Sequence, residues 1–87
     1  MRIIKKSSLT DYWTKYPDAE AALGEWYAVA RRASWEKPLD VLEQYPEGSS
    51  IGEGRFVFRF DDFRLITSIA YEYYSVYIKW FGPHAEY

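Results

Sequence analysis

The last third of the chain, from Phe56 to Tyr87, is the part of the sequence that most restricts the fold. It contains three stretches in which polar and apolar residues alternate, at 55–60, 63–71 and 75–81, separated by two short polar turns. A period of two is typical of β-strands, and turns this short connect antiparallel neighbours. The sequence therefore predicts an antiparallel three-stranded meander, followed by the polar tail Gly82-Pro83-His84-Ala85-Glu86-Tyr87.

Each predicted strand has one apolar face that needs a covering layer. These faces consist of large side chains: Phe56, Phe58 and Phe60 in the first strand, Phe63, Leu65 and Ile69 in the second, and Val76, Ile78 and Trp80 in the third. The opposite face is predicted to hold Phe81 and the three cations Arg59, Arg64 and Lys79. Antiparallel sheets commonly leave one face open to water, so these cations are expected to share a solvent-facing surface.

The first half of the sequence predicts the helices that cover the apolar face. A short first strand is expected at 2–5, and Ser8 then suits the N-cap of a helix that ends before Pro17. Asp18 is predicted to cap a second, longer helix. The apolar residues of both helices recur at helical spacing: Leu9, Tyr12 and Trp13 in the first, and Leu23, Trp26, Tyr27 and Ala30 in the second.

A third, shorter helix is predicted to begin at Pro38, with Leu39 and Leu42 facing inward. The Gly- and Ser-rich stretch that follows, up to Gly54, is typical of a loop. The predicted fold class is therefore α+β, a compact βααβββ arrangement with helices packed on one face of an antiparallel sheet. At 87 residues the chain is expected to form a single domain, residues 1–87.

Composition limits how this domain is stabilised and where it is expected to work. The chain has no cysteine, so disulfides and thiolate metal sites are excluded, whereas four Trp, nine Tyr and five Phe provide large apolar surfaces. No apolar signal-peptide core follows Met1, and no run approaches the roughly 18 apolar residues of a membrane span. The sequence therefore predicts a soluble cytoplasmic protein without a membrane partner.

The overall charge argues mildly against nucleic acid as a partner. With 11 basic and 13 acidic residues the net charge is −2, whereas proteins that bind phosphate backbones are usually basic. The local balance differs, because the segment 55–79 contains the cations Arg55, Arg59, Arg64 and Lys79 against Asp61, Asp62 and Glu72. This distribution is compatible with a cationic sheet face, although solubility alone is the simpler explanation of these charges.

Two residues are the strongest candidates for chemistry. Arg64 follows a turn and lies between large apolar neighbours, where a guanidinium group can hold a phosphate through two hydrogen bonds. His84 is the only histidine, and imidazole can accept or donate a proton near neutral pH. A lone histidine near a terminus is nevertheless more often idle than catalytic. With one histidine and no cysteine, no metal site is expected, and no motif for a cofactor is present.

Motifs along the whole chain resemble the HigB family of bacterial toxins, within the RelE/ParE superfamily. The motifs are Met1-Arg2-Ile3-Ile4, Leu9 with Trp13, Tyr16-Pro17-Asp18-Ala19-Glu20, Leu23 with Trp26-Tyr27, Ala33 with Trp35, Asp40-Val41, Phe56-Val57-Phe58, Phe63-Arg64-Leu65-Ile66, Tyr77-Ile78-Lys79 and the tail from Gly82 to Tyr87. The tail is the most specific of them. The sequence departs from the family in having a shorter turn at Asp61-Asp62 and in having Pro83 where the family usually has threonine.

The resemblance implies a RelE-like fold and an mRNA interferase, a metal-independent endoribonuclease that cleaves mRNA on the ribosome and inhibits translation. Arg64 would stabilise the transition-state charge, His84 would transfer a proton, and Tyr87 would orient the substrate or assist the reaction. Arg59 and Lys79 are candidates for holding RNA phosphates. The implied partners are mRNA on the ribosome and a HigA-like, DNA-binding antitoxin, and the resemblance also allows a higher-order toxin–antitoxin complex.

Two alternatives remain open at this point. One is a non-catalytic binding module that keeps the fold and binds an antitoxin or another protein without cleaving RNA. The acidic net charge and the altered turn at Asp61-Asp62 favour it. The other is a toxin that acts on a topoisomerase, as ParE-type relatives do. The tail pattern of His84 and Tyr87 argues against that alternative.

Overall fold

The predicted meander forms the centre of a five-stranded sheet in the computed structural model, which describes residues 1–87. The strands are β1 (Arg2–Ile4), β2 (Ser49–Ser50), β3 (Arg55–Phe60), β4 (Phe63–Ala70) and β5 (Ser75–Pro83), and the helices are α1 (Ser7–Lys15), α2 (Glu20–Arg32) and α3 (Pro38–Gln44). The strand order is β1-β5-β4-β3-β2, in which β1 runs parallel to β5 and all other neighbours are antiparallel. This α+β architecture confirms the predicted fold class, while the parallel pairing of β1 and the short β2 were not expected.

The helix positions were predicted better than their caps. Pro17 follows the end of α1 as expected, but neither Ser8 nor Asp18 caps a helix. Helix α1 begins at Ser7 directly after a turn at Lys5, whose φ of 65° redirects the chain out of β1, and backbone hydrogen bonds close its first turn. Pro17 begins a 3₁₀ turn that contains Asp18, so α2 starts only at Glu20.

The core lies between the helices and one face of the sheet. Its fully buried side chains include Leu23 and Trp26 from α2 and Phe56 and Phe58 from β3. The Trp26 and Phe58 rings meet edge to face with their centroids 5.3 Å apart, a geometry that aromatic pairs prefer. The face assigned to α3 was partly wrong: Val41 is fully buried, whereas Leu39 is 56% exposed.

A β-bulge in β5 changes which face its last residues occupy. Ile66 of β4 pairs with Trp80, and the next residue, Thr67, pairs with Ile78, which leaves Lys79 as an extra residue. Because side chains alternate along a strand, one extra residue exchanges the faces of everything beyond it. Phe81 is therefore buried in the core, and Trp80 lies on the open face, the reverse of the sequence prediction.

The face of the sheet that is not covered by helices, here called the open face, carries charge of one sign only. All 13 acidic residues lie in helices, loops and turns, and none lies in a strand. The basic residues of the strands are Arg2, Arg55, Arg59, Arg64 and Lys79, of which only Arg64 is partly buried. None of the three helices has the length and the apolar character that crossing a membrane requires.

Candidate functional site

The site is built around the two-residue turn between β3 and β4. Asp61 adopts a φ of 52°, in the left-handed region that a short aspartate side chain tolerates. This conformation reverses the chain between Phe60 and Phe63, which pair with each other at the end of the hairpin. The backbone carbonyls of Asp61 and Asp62 are thereby directed at the two residues that the sequence singled out for chemistry.

The first of these residues is Arg64. Its Nη1 donates hydrogen bonds to the carbonyl oxygens of Asp61 (3.0 Å) and Phe63 (2.9 Å). A guanidinium group has five N–H donors, and these two bonds use only those on Nη1. The two bonds fix the side chain against the turn, and the donors on Nε and Nη2 are left for an anionic ligand.

The second residue is His84. Its backbone N–H donates a hydrogen bond to the carbonyl of Asp62, which holds the start of the tail against the turn. The imidazole itself is exposed. Arg64 pairs with Gly82 across β4 and β5, and only Pro83 lies between Gly82 and His84 in the chain. Arg64 and His84 are thus connected to adjacent carbonyls of one turn.

Tyr87 completes the tail. Residues 84–86 form a 3₁₀ turn, and the Tyr87 N–H donates a 3.0 Å hydrogen bond to the His84 carbonyl. This turn brings the Tyr87 ring beside the imidazole, with ring centroids 6.2 Å apart and ring planes 21° from parallel. Tyr87 is 54% exposed, so the phenol remains accessible to a ligand.

Arg59 lies directly opposite Arg64 in the β3–β4 ladder. Together with Asp61 and Glu47 these two arginines line an open cleft of about 390 Å³. Like charges in direct opposition destabilise a sheet unless a counter-charge is near. Asp61 and Glu47 supply that counter-charge, so the cleft, here called the arginine cleft, has no net formal charge. What it offers an anion is the hydrogen-bond donors of its two guanidinium groups.

Lys79 does not line this cleft. It is exposed at the bulge, and its Nζ lies 5.7 Å from the centre of the Tyr77 ring, on the side of β5 away from the tail. The structure therefore brings Arg59, Arg64, His84 and Tyr87 to one end of the sheet, while Lys79 stands farther back on the open face.

A larger cavity, of about 700 Å³, lies at the opposite end of the sheet and differs in charge. Its lining includes the carboxylates Glu36, Glu53 and Glu72 together with Tyr71 and Tyr74. The Tyr74 hydroxyl donates a 3.0 Å hydrogen bond to Glu36, and this bond raises the pKa of Tyr74. An acidic cavity repels phosphate, so size alone does not identify the site where an anionic substrate would bind.

Two residues near the arginine cleft were missed by the sequence analysis. Glu47 reaches the cleft from the loop before β2, and nothing in its local sequence pattern indicates that position. Trp80 was assigned to the core because strict alternation was assumed through Lys79. The only local sign of the bulge was Gly82, which lacks a side chain just where the Trp80 ring lies.

The arrangement at this end of the sheet combines three chemical capacities. Arg59 and Arg64 offer fixed positive charge and hydrogen-bond donors, His84 offers an exposed imidazole for proton transfer, and Tyr87 offers a hydroxyl and a ring face beside it. No group of three or more His, Asp or Glu side chains is arranged to hold a metal ion.

Comparison with known proteins identifies the family of the chain. A family model for HigB toxins, described as the RelE-like toxic component of a toxin–antitoxin system, matches residues 19–87. That range contains Arg59, Arg64, Lys79, His84 and Tyr87. A search among curated proteins found no match. Because the matched range covers well over half of the chain, the protein belongs to the HigB family, the RelE-like toxins of toxin–antitoxin systems.

Proposed function

We propose that this toxin is an mRNA interferase, a metal-independent endoribonuclease that cleaves mRNA on the ribosome and thereby inhibits translation. The observation that carries the proposal is the attachment of Arg64 and His84 to one turn, through the adjacent carbonyls of Asp61 and Asp62. A phosphate-binding cation and a proton-transfer group held at one sheet end are what RNA cleavage by the ribose 2′-hydroxyl requires.

In the proposed reaction the 2′-hydroxyl loses its proton and attacks the adjacent phosphorus. The bond from phosphorus to the 5′-oxygen of the next nucleotide breaks, and that oxygen gains a proton. The products are a 2′,3′-cyclic phosphate and a 5′-hydroxyl end. His84 transfers the proton from the 2′-hydroxyl to the leaving 5′-oxygen, Arg64 stabilises the extra negative charge of the phosphorane, and Tyr87 orients the substrate beside His84. Arg59 and Lys79 hold neighbouring phosphates.

Toxicity on induced expression tests this assignment. Growth arrest is expected with the wild type and is expected to be lost in Arg64→Ala and in His84→Ala. Arg55→Ala is the matched control, because Arg55 is another arginine on the open face, more exposed than Arg64, and pairs with Ser68, far from the tail. Folded Arg64→Ala and His84→Ala variants that arrest growth as strongly as the wild type would show that the assigned residues are wrong.

A toxin of this family implies a cognate antitoxin. We propose that the antitoxin is a HigA-like, DNA-binding protein and that binding it keeps the ribonuclease inactive. Co-expression of the antitoxin is expected to restore growth, and the antitoxin is expected to co-purify with the toxin.

The second candidate function is a non-catalytic binding module, and one observation favours it. Asp61 and Glu47 line the same cleft as Arg59 and Arg64, so the formal charges of the two arginines are balanced before RNA arrives. In that case the open face would serve protein binding. Expression that leaves mRNA intact, together with antitoxin binding that is unaffected by His84→Ala, would favour this function over the ribonuclease.

A further inference from the structure

The four tryptophans of the chain do not share one environment. Trp26 and Trp35 are buried, and Trp13 is partly buried against the core. Trp35 also donates a 2.6 Å hydrogen bond from its indole nitrogen to Gln44. Trp80 is the exception: it is partly exposed on the open face and does not pack against the hydrophobic core.

The bulge is the reason that Trp80 lies on this face. If β5 alternated regularly through Lys79, Trp80 would point into the core on the same face as Ile78, and Phe81 would point to solvent. Bulges are frequent next to active sites, where they redirect a side chain at the cost of an interrupted ladder. A large apolar ring moved from the core to the surface loses the free energy that burial would provide. The exposed position of Trp80 therefore requires a functional explanation.

Gly82 provides the support for the Trp80 ring. A Cβ added at Gly82 would lie 2.6 Å from Cζ2 and 2.8 Å from Cη2 of Trp80, so only glycine allows the six-membered ring to lie this close to the strand. Gly82 is buried although it faces no helix, because the ring covers it. The indole is therefore held against the backbone, with its position set by that contact.

The ring is held beside the arginine cleft. Gly82, which the ring covers, is the direct cross-strand partner of Arg64, and Arg64 is the partner of Arg59. In the neighbouring row Trp80 pairs with Ile66, which is partly buried. An aromatic ring next to guanidinium groups is the combination that binds single-stranded nucleic acid, because the ring stacks on a base while the cations hold the backbone.

We propose that Trp80 is a base-stacking residue that binds one unpaired base of the RNA and so positions the adjacent phosphate at Arg64. The proposal rests on the function proposed above and specifies how this site holds its substrate. A base has the same stacking face whatever its identity, so the contact fixes the position of the RNA without selecting a sequence. The chemical class that Trp80 recognises is an unpaired nucleobase.

A competing explanation is purely structural: Trp80 covers Gly82 and Ile66, and any apolar side chain of similar size would do the same. The two explanations differ in what the RNA must carry. Stacking requires both an aromatic side chain and a base, whereas a covering role is indifferent to the base. An experiment that changes the side chain and the base separately therefore distinguishes them.

The experiment measures binding of a short single-stranded RNA that carries 2′-O-methyl groups at every position and cannot be cleaved. Affinities are determined for the wild type, Trp80→Ala, Trp80→Leu and Trp80→Phe, each confirmed as folded by its thermal unfolding. We expect Trp80→Ala and Trp80→Leu to bind about 10- to 100-fold more weakly and Trp80→Phe to stay within about threefold of the wild type. Tyr73→Ala, which removes an aromatic ring that is 75% exposed at the opposite end of the sheet, is the matched control and should bind normally.

The same RNA is then made with a single abasic position, moved along the strand. One abasic position should weaken wild-type binding as much as Trp80→Ala does and should cost the Trp80→Ala variant nothing more. Equal affinity of Trp80→Leu and the wild type would overturn the inference. So would a wild-type protein that binds every abasic RNA as well as the unmodified one, or that binds none of these RNAs.

Because the probe cannot be cleaved, this result is separable from the proposed catalysis. Base-dependent binding through Trp80, together with intact cellular mRNA on expression, would retain the inference and overturn the ribonuclease. Cleavage of cellular mRNA at equal rates by the wild type and a folded Trp80→Ala variant would retain the ribonuclease and overturn the inference.

Discussion

The two faces of the sheet come from the same five strands but carry opposite kinds of surface. The covered face presents uncharged side chains such as Phe58 and Leu65 to the helices, and both residues are fully buried. The open face presents only basic charges, although the chain as a whole has a net charge of −2. The acidic residues responsible for that total lie in the helices, loops and turns. For binding to RNA the arrangement of charge on one face therefore matters more than the sum over the chain.

Substituting the adjacent residues Trp80 and Phe81 tests this difference between the faces. The expected change in the free energy of unfolding is the largest of the effects predicted here. Phe81 is 3% exposed, and its ring stacks on Phe63 with centroids 5.2 Å apart, so Phe81→Ala should lower the free energy of unfolding by about 3–5 kcal/mol. Trp80→Ala should cost less, about 1–2 kcal/mol, because Trp80 is only partly buried. Urea denaturation of both variants measures the two values. A greater cost for Trp80→Ala would mean that the bulge does not divide the faces as described.

RNA affinity tests the charge of the open face. Arg64→Ala should weaken binding of the non-cleavable RNA by about 10- to 100-fold, because hydrogen bonds to charged groups contribute about 1.5–3 kcal/mol each. The dependence of log K on log salt concentration should also become shallower, by about 0.7 for one lost phosphate contact. Arg55→Ala, on the same face but away from the cleft, is the control for a non-specific loss of positive charge. Equal losses for both variants would argue against a defined phosphate site at Arg64.

The carboxylate of Asp61 offers a change in the opposite direction. Asp61→Asn removes a negative charge from the cleft and keeps a side chain that tolerates the φ of 52°. RNA affinity should rise several-fold at low salt, since a like-charge repulsion is removed, and the gain should shrink as salt screens it. Asp18→Asn, an equivalent change in the 3₁₀ turn before α2, is the control. Unchanged affinity of Asp61→Asn at low salt would place the RNA phosphates away from this turn.

The smallest effect concerns pH and the covered face. Burial, with a further contribution from Glu25, raises the pKa of Tyr45 from 10.0 to about 12. Between these values the unfolded chain loses the phenolic proton while the folded chain retains it, so the free energy of unfolding falls as pH rises from about 10 to about 12.

Thermal unfolding between pH 9 and pH 11.5, roughly the range set by this shift, measures the effect. Tyr45→Phe should have a flatter profile than the wild type above pH 10, because it has no proton to lose at this position. A Tyr45→Phe profile as steep as the wild type would contradict the assignment.

The fold followed from the sequence to the extent that local patterns determined it. Alternation placed β3 and β4, and the 3.6-residue period placed the buried faces of α1 and α2, because burial of one face is what these patterns encode. The pairing of β1 beside β5 was not predictable, since it joins residues more than 70 positions apart without a local signal. The caps at Ser8 and Asp18 failed because backbone hydrogen bonds and Pro17 fixed the helix starts instead.

The sequence provided candidate site residues, but the surroundings of those residues could not be predicted from it. Arg64 and His84 were identified from residue type and resemblance, and the contacts through the turn at Asp61 could not be read from the sequence. Predicting that Trp80 and Phe81 exchange faces required knowledge of the bulge. The local sequence of the nine-residue strand does not indicate which residue is the extra one. Residues beyond such a bulge are the ones for which strict alternation fails.

The central claim is that the end of the open face that holds Arg59 and Arg64 cleaves RNA with His84. Its most direct test is a primer-extension map of cellular mRNA after induced expression of the wild type and of His84→Ala. The account predicts new 5′-hydroxyl ends at in-frame positions with the wild type, and loss of His84 should reduce their rate of appearance by about 10²- to 10⁴-fold. Unchanged transcripts in cells that contain soluble, folded wild-type protein would contradict it, as would equal cleavage by the two proteins.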